Sequence, residues 1–386
     1  MRVLSDLSQV DAATWNALAR HPRPGPEFAS LQPFVRHEFL RALERSGCVG
    51  ARTGWLPRHL LIESPDGRIA GALPLYAKSH SYGEYVFDWA WADAYERHGL
   101  DYYPKLLSAI PFTPVTGRRL LAGDDEARRL LAAGLMRFAA DSGLSSLHLL
   151  FPDEIDEPAL RDAGLSIRRG VQFHWRNRDY RDFDAFLDGL AQPKRKKIRA
   201  ERRKVREAGV TIERLDGADL RESHWAFFHA CYRSTYRQHR STPYLNERFF
   251  LEIGASMPEH LMMAIASRDG RPIASSLLMR DDRRLYGRYW GALEHVPCLH
   301  FELAYYQTIE AAIERRIALI EGGAQGEHKM ARGFEPVATV SAHWLRDARF
   351  AEAVDEFLRR EDRMIGGYLD ELAERMPFRA RPALTG

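Results

Sequence analysis

The chain has 386 residues, which by usual domain sizes means two or three domains and ample material for a buried core. Its 28 glycines and 20 prolines are an ordinary share, so collagen-like repeats and bulk disorder are excluded. With 56 basic and 53 acidic residues the net charge is only +3, so no overall field recruits an acidic partner, and any affinity for nucleic acid or membrane has to come from a local cluster.

Val10 to Arg20 has the pattern of a helix, broken by the proline-rich stretch His21 to Pro26. Phe34 to Ser46 repeats at helical spacing and stops at Gly47. His59 to Glu63 and Ile69 to Ala77 are apolar runs either side of the turn Ser64-Pro65-Asp66-Gly67, which predicts a β-hairpin. Tyr85 to Ala92 is rich in aromatics and reads as a strand. Asp125 to Ser142 is an amphipathic helix with Leu130, Leu131, Leu135 and Phe138 along one face. Leu147 to Leu150 reads as a buried strand, Glu157 to Asp162 as a short helix and Leu165 to Trp175 as a further strand.

The second half runs in the same order. Leu220 to Gln238 and Asn246 to Gly254 are predicted helices. Leu261 to Ser267 and Pro272 to Met279 are strands around the turn Arg268-Asp269-Gly270-Arg271, and Arg284 to Gly291 is a third. His300 to Arg316 is a helix, Leu319-Ile320 opens another strand, and Ala351 to Arg375 is an amphipathic tail helix. This repeated order predicts duplication of one α/β unit of about 150 to 200 residues. The expected units are 1–177 and 178–386.

Near the head of the second unit, nine of the thirteen residues from Lys194 to Arg206 are Lys or Arg. Ile198 and Val205 give only a thin apolar stripe, so the helix 193–208 is expected at the surface. Arg195, Arg199, Arg202 and Arg206 share one stripe, and a row of guanidinium groups suits the phosphates of a nucleotide, of coenzyme A or of RNA. The competing reading is a solvated helix, but nine cations without i,i+4 acidic partners repel one another.

Three cysteines (Cys48, Cys231 and Cys298) are too few and too scattered for a disulfide framework or a zinc site. They suggest a reducing compartment. Met1 to Arg20 lacks a basic-then-apolar signal pattern, and no apolar run approaches the ~20 residues that span a bilayer. The expectation is a soluble, cytoplasmic protein without a metal centre.

Leu285 to Phe334 is the most informative stretch. A strand ends in Trp290-Gly291, a helix begins at His300, and a second strand runs into Glu321-Gly322-Gly323-Ala324-Gln325-Gly326-Glu327-His328-Lys329 and on to Arg332-Gly333-Phe334. Helix N-termini hold anions, glycines let backbone approach a ligand, and open α/β sheets bind ligands beyond strand ends. A plain glycine-rich surface loop has the same composition. In the first half, Glu84, Asp88, Asp93 and Glu96 lie among Phe87, Trp89, Trp91 and Tyr95. Such a cluster, with Asp88 and Trp91 at its centre, suits a cationic acceptor amine, or is simply the polar face of a strand.

The order strand, helix, strand, Gly-Gly and Lys…Arg-Gly-Phe resembles the second half of the FemABX aminoacyltransferases, which are tandem GNAT-fold proteins. Phe173 to Asn177, the basic helix, Tyr244-Leu245-Asn246, Leu285 to Gly291, Gly322 to Phe334, Gly83 to Asp88 and Pro111 to Gly117 are similar to the bacterial FemAB-like branch, described as predicted N-acyltransferases of peptidoglycan biosynthesis or recognition. The resemblance spans nearly the whole chain. It implies an α/β fold of two GNAT-like units, each a mixed, mainly antiparallel sheet flanked by helices around an acyl-donor cleft.

It further implies acyl or aminoacyl transfer to the amine of a small molecule or peptide. No tightly bound cofactor follows: the donor, aminoacyl-tRNA or acyl-coenzyme A, is a co-substrate, with tRNA as a partner in the first case. Coenzyme-A-using GNAT enzymes carry a glycine-rich pyrophosphate loop, whereas Gly291 to Leu299 has no second glycine and contains Pro297. Direct attack needs a proton acceptor and an oxyanion partner but no enzyme nucleophile. Glu327 or His328 is expected to take the proton. Lys329 and Arg332 are expected on the donor phosphate or the oxyanion. His300 with Glu302 forms a second acid/base candidate, Trp290, Tyr305 and Tyr306 pocket walls, and Gln325 part of the donor loop. Ordinary salt-bridge, helix-cap and core roles compete with each. The alternative function is a non-catalytic RNA- or cell-wall-binding module on the same fold.

Overall fold

The computed structural model describes residues 1–20, 31–323 and 326–378, so the break at His21 to Pro26 lies outside the described residues. Its first strands are β1 (Arg2–Leu4), β2 (Trp55–Pro57), β3 (His59–Glu63), β4 (Ile69–Leu73), β5 (Tyr76–Lys78), β6 (Lys105–Ser108), β7 (Leu121–Ala122) and β8 (Ser146–Leu150). Then follow β9 (Ser166–Arg176), β10 (Val210–Asp216), β11 (Leu261–Arg268), β12 (Arg271–Arg280), β13 (Arg284–Ala292), β14 (Leu319–Glu321) and β15 (Glu335–Leu345). Two compact units form. One comprises Met1–Gly170, Tyr244–Ile253 and Ala338–Gly367; the other comprises Val171–Pro243, Gly254–Val337 and the chain from Tyr368 onward.

In the first unit, strands order as β1-β3-β4-β7 and as β15-β8-β6-β5-β2. The predicted hairpin is there: Leu60 pairs with Leu73 and Glu63 with Ile69 around the Pro-Asp-Gly turn. The helix Asp125–Asp141 starts where Asp124 accepts the Ala127 N–H at 2.8 Å, with Asp125 and Glu126 at its positive end. Leu131, Leu135 and Ala139 pack it on Leu147 and Leu149 of β8. Leu130, expected on that face, is instead 59% exposed. The aromatic stretch Tyr85 to Ala92 is not a strand. Asp88 caps a helix over Trp89–Arg97, its carbonyl accepting from Trp91 and Ala92, and Tyr85 sits at a positive φ that ends extended structure. Packing of Trp91 and Tyr95 on one helical face overrides the β preference of the aromatics.

In the second unit the order is β10-β11-β12-β13-β14-β9. The pairs β10/β11, β11/β12 and β12/β13 are antiparallel, while β13/β14 is parallel and β14/β9 antiparallel. The chain between β13 and β14 is helical from Leu299 to Glu314, with a π turn at Glu302–Tyr306. Ile309, Ala312 and Ile313 of this helix bury against Trp175, Leu285 and Ile320. The helix Glu222–Gln238 lies so close to β13 that a Cβ on Gly291 would come within 2.0 Å of the Cys231 carbonyl oxygen. Only glycine permits this contact, which Thr235 Oγ1 secures by donating to the Trp290 carbonyl at 2.9 Å.

Replacing Gly291 with alanine must therefore push backbone from backbone. Gly291→Ala is expected to cost about 1–3 kcal/mol in urea unfolding. An unchanged midpoint would mean that the helix does not hold this strand.

Candidate active site

Strands β13 and β14 share only three register pairs, Arg284 with Leu319, Leu285 with Ile320 and Tyr286 with Glu321. Beyond them β13 continues to Ala292 while β14 ends in Gly322-Gly323. Where the strands part lies a cavity of about 120 Å³, walled by Gly287, Trp290, His300, Tyr305, Gly322 and Phe334 among others. The ladder with β12 also slips here: Leu277 pairs with Tyr289 and Leu278 with Gly287, so the register skips Arg288. Such a bulge re-aims backbone and side chains beside a site. The π turn in the following helix adds one residue to the turn, a feature frequent at functional sites.

Two of the expected wall residues, Trp290 and Tyr305, meet in this cavity together with the acid/base candidate His300. The Trp290 and His300 rings stand 4.6 Å apart, and Tyr305 lies 5.7 Å from His300. The Tyr305 hydroxyl and His328 Nε2 are hydrogen-bonded at 2.9 Å. Lys329 Nζ donates to the Gly323 carbonyl at 3.1 Å, and its Cδ would lie 3.3 Å from a Cβ on Gly322. His328 and Lys329 thus adjoin the cavity through Tyr305 and Gly322 without themselves lining it.

Electrostatics follow from burial and like charge. Burial first, then repulsion between its charged form and His328, Arg332 and Lys329, lowers His300 to about 4. His328 is lowered by burial, Lys329 and Arg332, so it is a neutral ring beside a protonated phenol. Burial pushes Tyr305 up to about 12 and Lys329 down to about 8.

Other candidates are placed elsewhere. Glu302 faces Arg202, which donates to it at 3.0 Å and to Glu310 at 2.7 Å, so no His300–Glu302 acid/base pair forms. Arg332 donates to Glu201 at 3.0 and 3.2 Å and stacks 3.6 Å from the Phe301 ring centre, while Tyr306 donates to Glu201. Arg332 and Tyr306 are therefore held in an internal ion-pair cluster rather than presented to a ligand. Glu327 is exposed and accepts from Tyr368 at 2.7 Å. Gln325 lies outside the described residues.

The basic helix spans Gln192–Glu207 and buries Ile198, Glu201 and Val205. Three of the four arginines of its stripe are neutralised, contrary to the expected self-repulsion: Arg195 pairs with Asp188, Arg199 with Asp184 and Arg202 with Glu302, and beside the stripe Arg203 pairs with the i,i+4 partner Glu207. Most of these partners come from outside the helix, where local spacing cannot reveal them. Among the described residues Lys194, Lys196, Lys197, Lys204 and Arg206 remain without ion pairs.

In the first unit, the place of an acceptor amine at Asp88 is taken by an internal cation. Lys105 Nζ donates to Asp88, to Glu84 at 2.8 Å and to Ser81 at 2.7 Å, and Tyr102 donates to Asp88 at 2.6 Å. Trp91 is buried edge-on to His343 at 5.0 Å, and Asp93 and Glu96 are exposed. Burial raises Glu84 to about 7. Nothing in the local sequence marks Lys105 as this partner except a lysine at the head of an apolar strand. A larger hollow of about 450 Å³ lies among Asp124, Asp125, Arg128, Glu154 and Asp162, where acids surround a helix N-terminus and repel phosphate. Among the described residues no cluster of three or more His, Cys, Asp or Glu could hold a metal, and no helix is long and apolar enough to cross a membrane.

A family model for FemAB-like proteins, described as peptidoglycan biosynthesis/recognition, matches residues 6–380. The chain belongs to the FemAB-like family. FemAB-like proteins are acyltransferases, and the FemX crystal structure shares the fold with a TM-score of 0.53 at 11% identity, covering 92% of this chain and 100% of FemX. A conserved protein of unknown function from Bacteroides thetaiotaomicron superposes with a TM-score of 0.50 at 11% identity, over 89% of this chain and 98% of its own. A tandem GNAT protein of the clavulanic acid biosynthesis pathway is similar at 14% identity and a TM-score of 0.45, over 89% and 97%. No curated protein sequence matches this FemAB-like chain. The α/β fold of mixed, mainly antiparallel sheet flanked by helices, which the resemblance implied, is the fold observed and is shared with FemX.

Two outcomes follow. Lys105→Met leaves Glu84 and Asp88 buried without their cation, and is expected to cost about 3–5 kcal/mol in chemical unfolding. Lys329 titrates at about 8 in the fold and at its ordinary 10.5 when unfolded. Between those values the unfolded chain binds more proton, so stability rises with pH. The urea midpoint of the wild type should climb relative to Lys329→Met from about pH 8 to 10.5, with a flat difference below; a falling difference would mean that the ammonium is stabilised in the fold.

Proposed function

We propose that this FemAB-like protein transfers an aminoacyl group from aminoacyl-tRNA to an amine on a small molecule or peptide, in the setting of peptidoglycan synthesis, by direct attack. The carrying observation is the cavity at the parting of β13 and β14, with the Tyr305–His328 hydrogen bond at its wall. The choice of donor is supported by the turn after β13. Its Val296 is buried, its Glu294 is engaged by Arg268 and Arg271, and it carries Pro297 with no glycine after Gly291, so it lacks the supple run of free N–H groups that wraps a pyrophosphate. The unpaired cations of the basic helix, in the same unit, suit an RNA backbone.

In this reading the neutral amine attacks the ester carbonyl and forms the C–N bond. As the tetrahedral adduct collapses, the ester C–O bond breaks. The amine proton passes to Tyr305 while the phenol proton moves to His328, and His328 returns one to the departing ribose hydroxyl. A neutral imidazole and a protonated phenol at working pH suit this relay. The Lys329 ammonium, held by the Gly323 carbonyl, biases the site toward developing negative charge.

Tyr305→Phe and His328→Gln are expected to lower kcat by about 100-fold or more with little change in KM for the acceptor. Equal loss in KM alone would assign them to binding. With aminoacyl-tRNA as donor, log(kcat/KM) should fall steeply with log salt, and Lys196→Glu or Lys204→Glu should each lessen the slope by about one. Faster transfer from acyl-coenzyme A with a shallow salt dependence would overturn the choice of donor.

A further inference from the structure

The basic helix carries more than its outward cations. Two adjacent residues on its packed side, Glu201 and Arg202, hold the turn that bears Tyr305. That π turn runs from Glu302 to Tyr306 and is closed by the Gln307 N–H, which donates five residues back to the Glu302 carbonyl. Arg202 holds its first residue: Nη2 and Nε donate to the two Glu302 carboxylate oxygens at 3.0 and 3.2 Å, while Nη1 donates to Glu310 at 2.7 Å. Gln307 braces this end by donating to Glu302 at 2.9 Å and to Glu310 at 3.1 Å. Glu201 holds the last residue of the turn, accepting from the Tyr306 hydroxyl. Glu201, Glu302 and Tyr306 are all buried.

Glu201 reaches His328 through Arg332. Arg332 Nη2 donates to both Glu201 oxygens at 3.0 and 3.2 Å, and Nη1 donates to the His328 carbonyl at 3.0 Å. The same guanidinium lies 3.6 Å from the Phe301 ring centre and 5.7 Å from that of Tyr305. One cation thus adjoins the backbone of His328 and the ring of Tyr305, whose side chains are hydrogen-bonded to each other at 2.9 Å. A buried ion pair adds little stability, because desolvation offsets its attraction, but it can specify one arrangement. Here the arrangement matters. An α-helix turns by about 100° per residue, so relaxing the π turn by one residue would swing Tyr305 that far round the axis while Ile309, Ala312 and Ile313 stayed packed.

We propose that Glu201 and Arg202 are positioning residues for the Tyr305–His328 pair. Held at both ends, the π turn keeps its extra residue, and Arg332 fixes the His328 backbone against it. The basic helix is thereby the frame of the site, in addition to the cations it offers to RNA. The consequence for turnover rests on the transfer reading above.

The test uses the full chain with isotope-labelled histidine and follows the His328 Nε2 resonance by NMR, assigned by its loss in His328→Gln. The variants are Glu201→Gln, Tyr306→Phe, which removes only the hydroxyl on Glu201, and Arg202→Lys, which keeps the charge but not the paired donors. Each should move the resonance toward its position in Tyr305→Phe, where the ring has no phenol partner. In the transfer assay each should lower kcat by about 10- to 100-fold with KM for the acceptor unchanged. Arg203→Gln, whose partner Glu207 lies on the same helix, should leave the resonance in place. Should Glu201→Gln fail to fold, Tyr306→Phe and Arg202→Lys decide. An unmoved resonance in those two, an equal movement in Arg203→Gln, or a loss confined to KM would overturn the proposal. Failure of the transfer reading looks different: the resonance moves as stated, yet no donor yields acylated amine even with the wild type.

Discussion

The site depends on one feature of backbone pairing, the brevity of the parallel ladder between β13 and β14. Three register pairs hold the strands together, and then β14 stops at two glycines while β13 runs on for six more residues. A longer β14 would close the ladder and fill the space with backbone hydrogen bonds. A β13 without its anchor on the helix Glu222–Gln238 would lose the partner that keeps its far end extended. The bulge opposite Leu277 and Leu278 and the π turn at Glu302–Tyr306 are local departures from regular structure that face the same opening.

Charge in this region is arranged with the same economy. Four groups able to carry positive charge, His300, His328, Lys329 and Arg332, crowd one small volume, where Arg332 is paired with the carboxylate of Glu201. The imidazoles respond by staying neutral, which is what a proton acceptor at the cavity requires. The first unit solves a similar problem in the opposite way. Lys105, Glu84, Asp88 and Tyr102 hydrogen-bond to one another inside the core, which costs ionic groups their solvation but defines one arrangement of the surrounding helix and strands.

Much of this was legible before any coordinates. The Pro-Asp-Gly turn announced the β3/β4 hairpin, and a strand ending in Trp290 followed by a helix starting near His300 placed two walls of the cavity. Tyr305 and His328 were also within reach, because a helix start and a glycine-bounded loop after a strand end converge by topology. What stayed hidden depends on partners far along the chain. Glu302 and Arg332 look like free site residues in the sequence, but they pair with Arg202 and Glu201, 100 and 131 residues earlier. Tyr85 to Ala92 looked extended because aromatic side chains favour strands, and only the cap at Asp88 and the buried face of Trp91 and Tyr95 make a helix of its second half. The bulge at Arg288 and the π turn have no composition of their own.

The central claim is that the donor's acyl end lies where β13 leaves β14. Hydrogen–deuterium exchange with a stable amide analogue of aminoacyl-tRNA tests it most directly, since the amides in question are local and numerous. The account predicts slower exchange confined, in this unit, to residues 287–292, 299–305 and the loop around Gly322, with the same analogue lacking its aminoacyl group protecting the basic helix alone. Protection of the basic helix with no change along β13 in either case would contradict it.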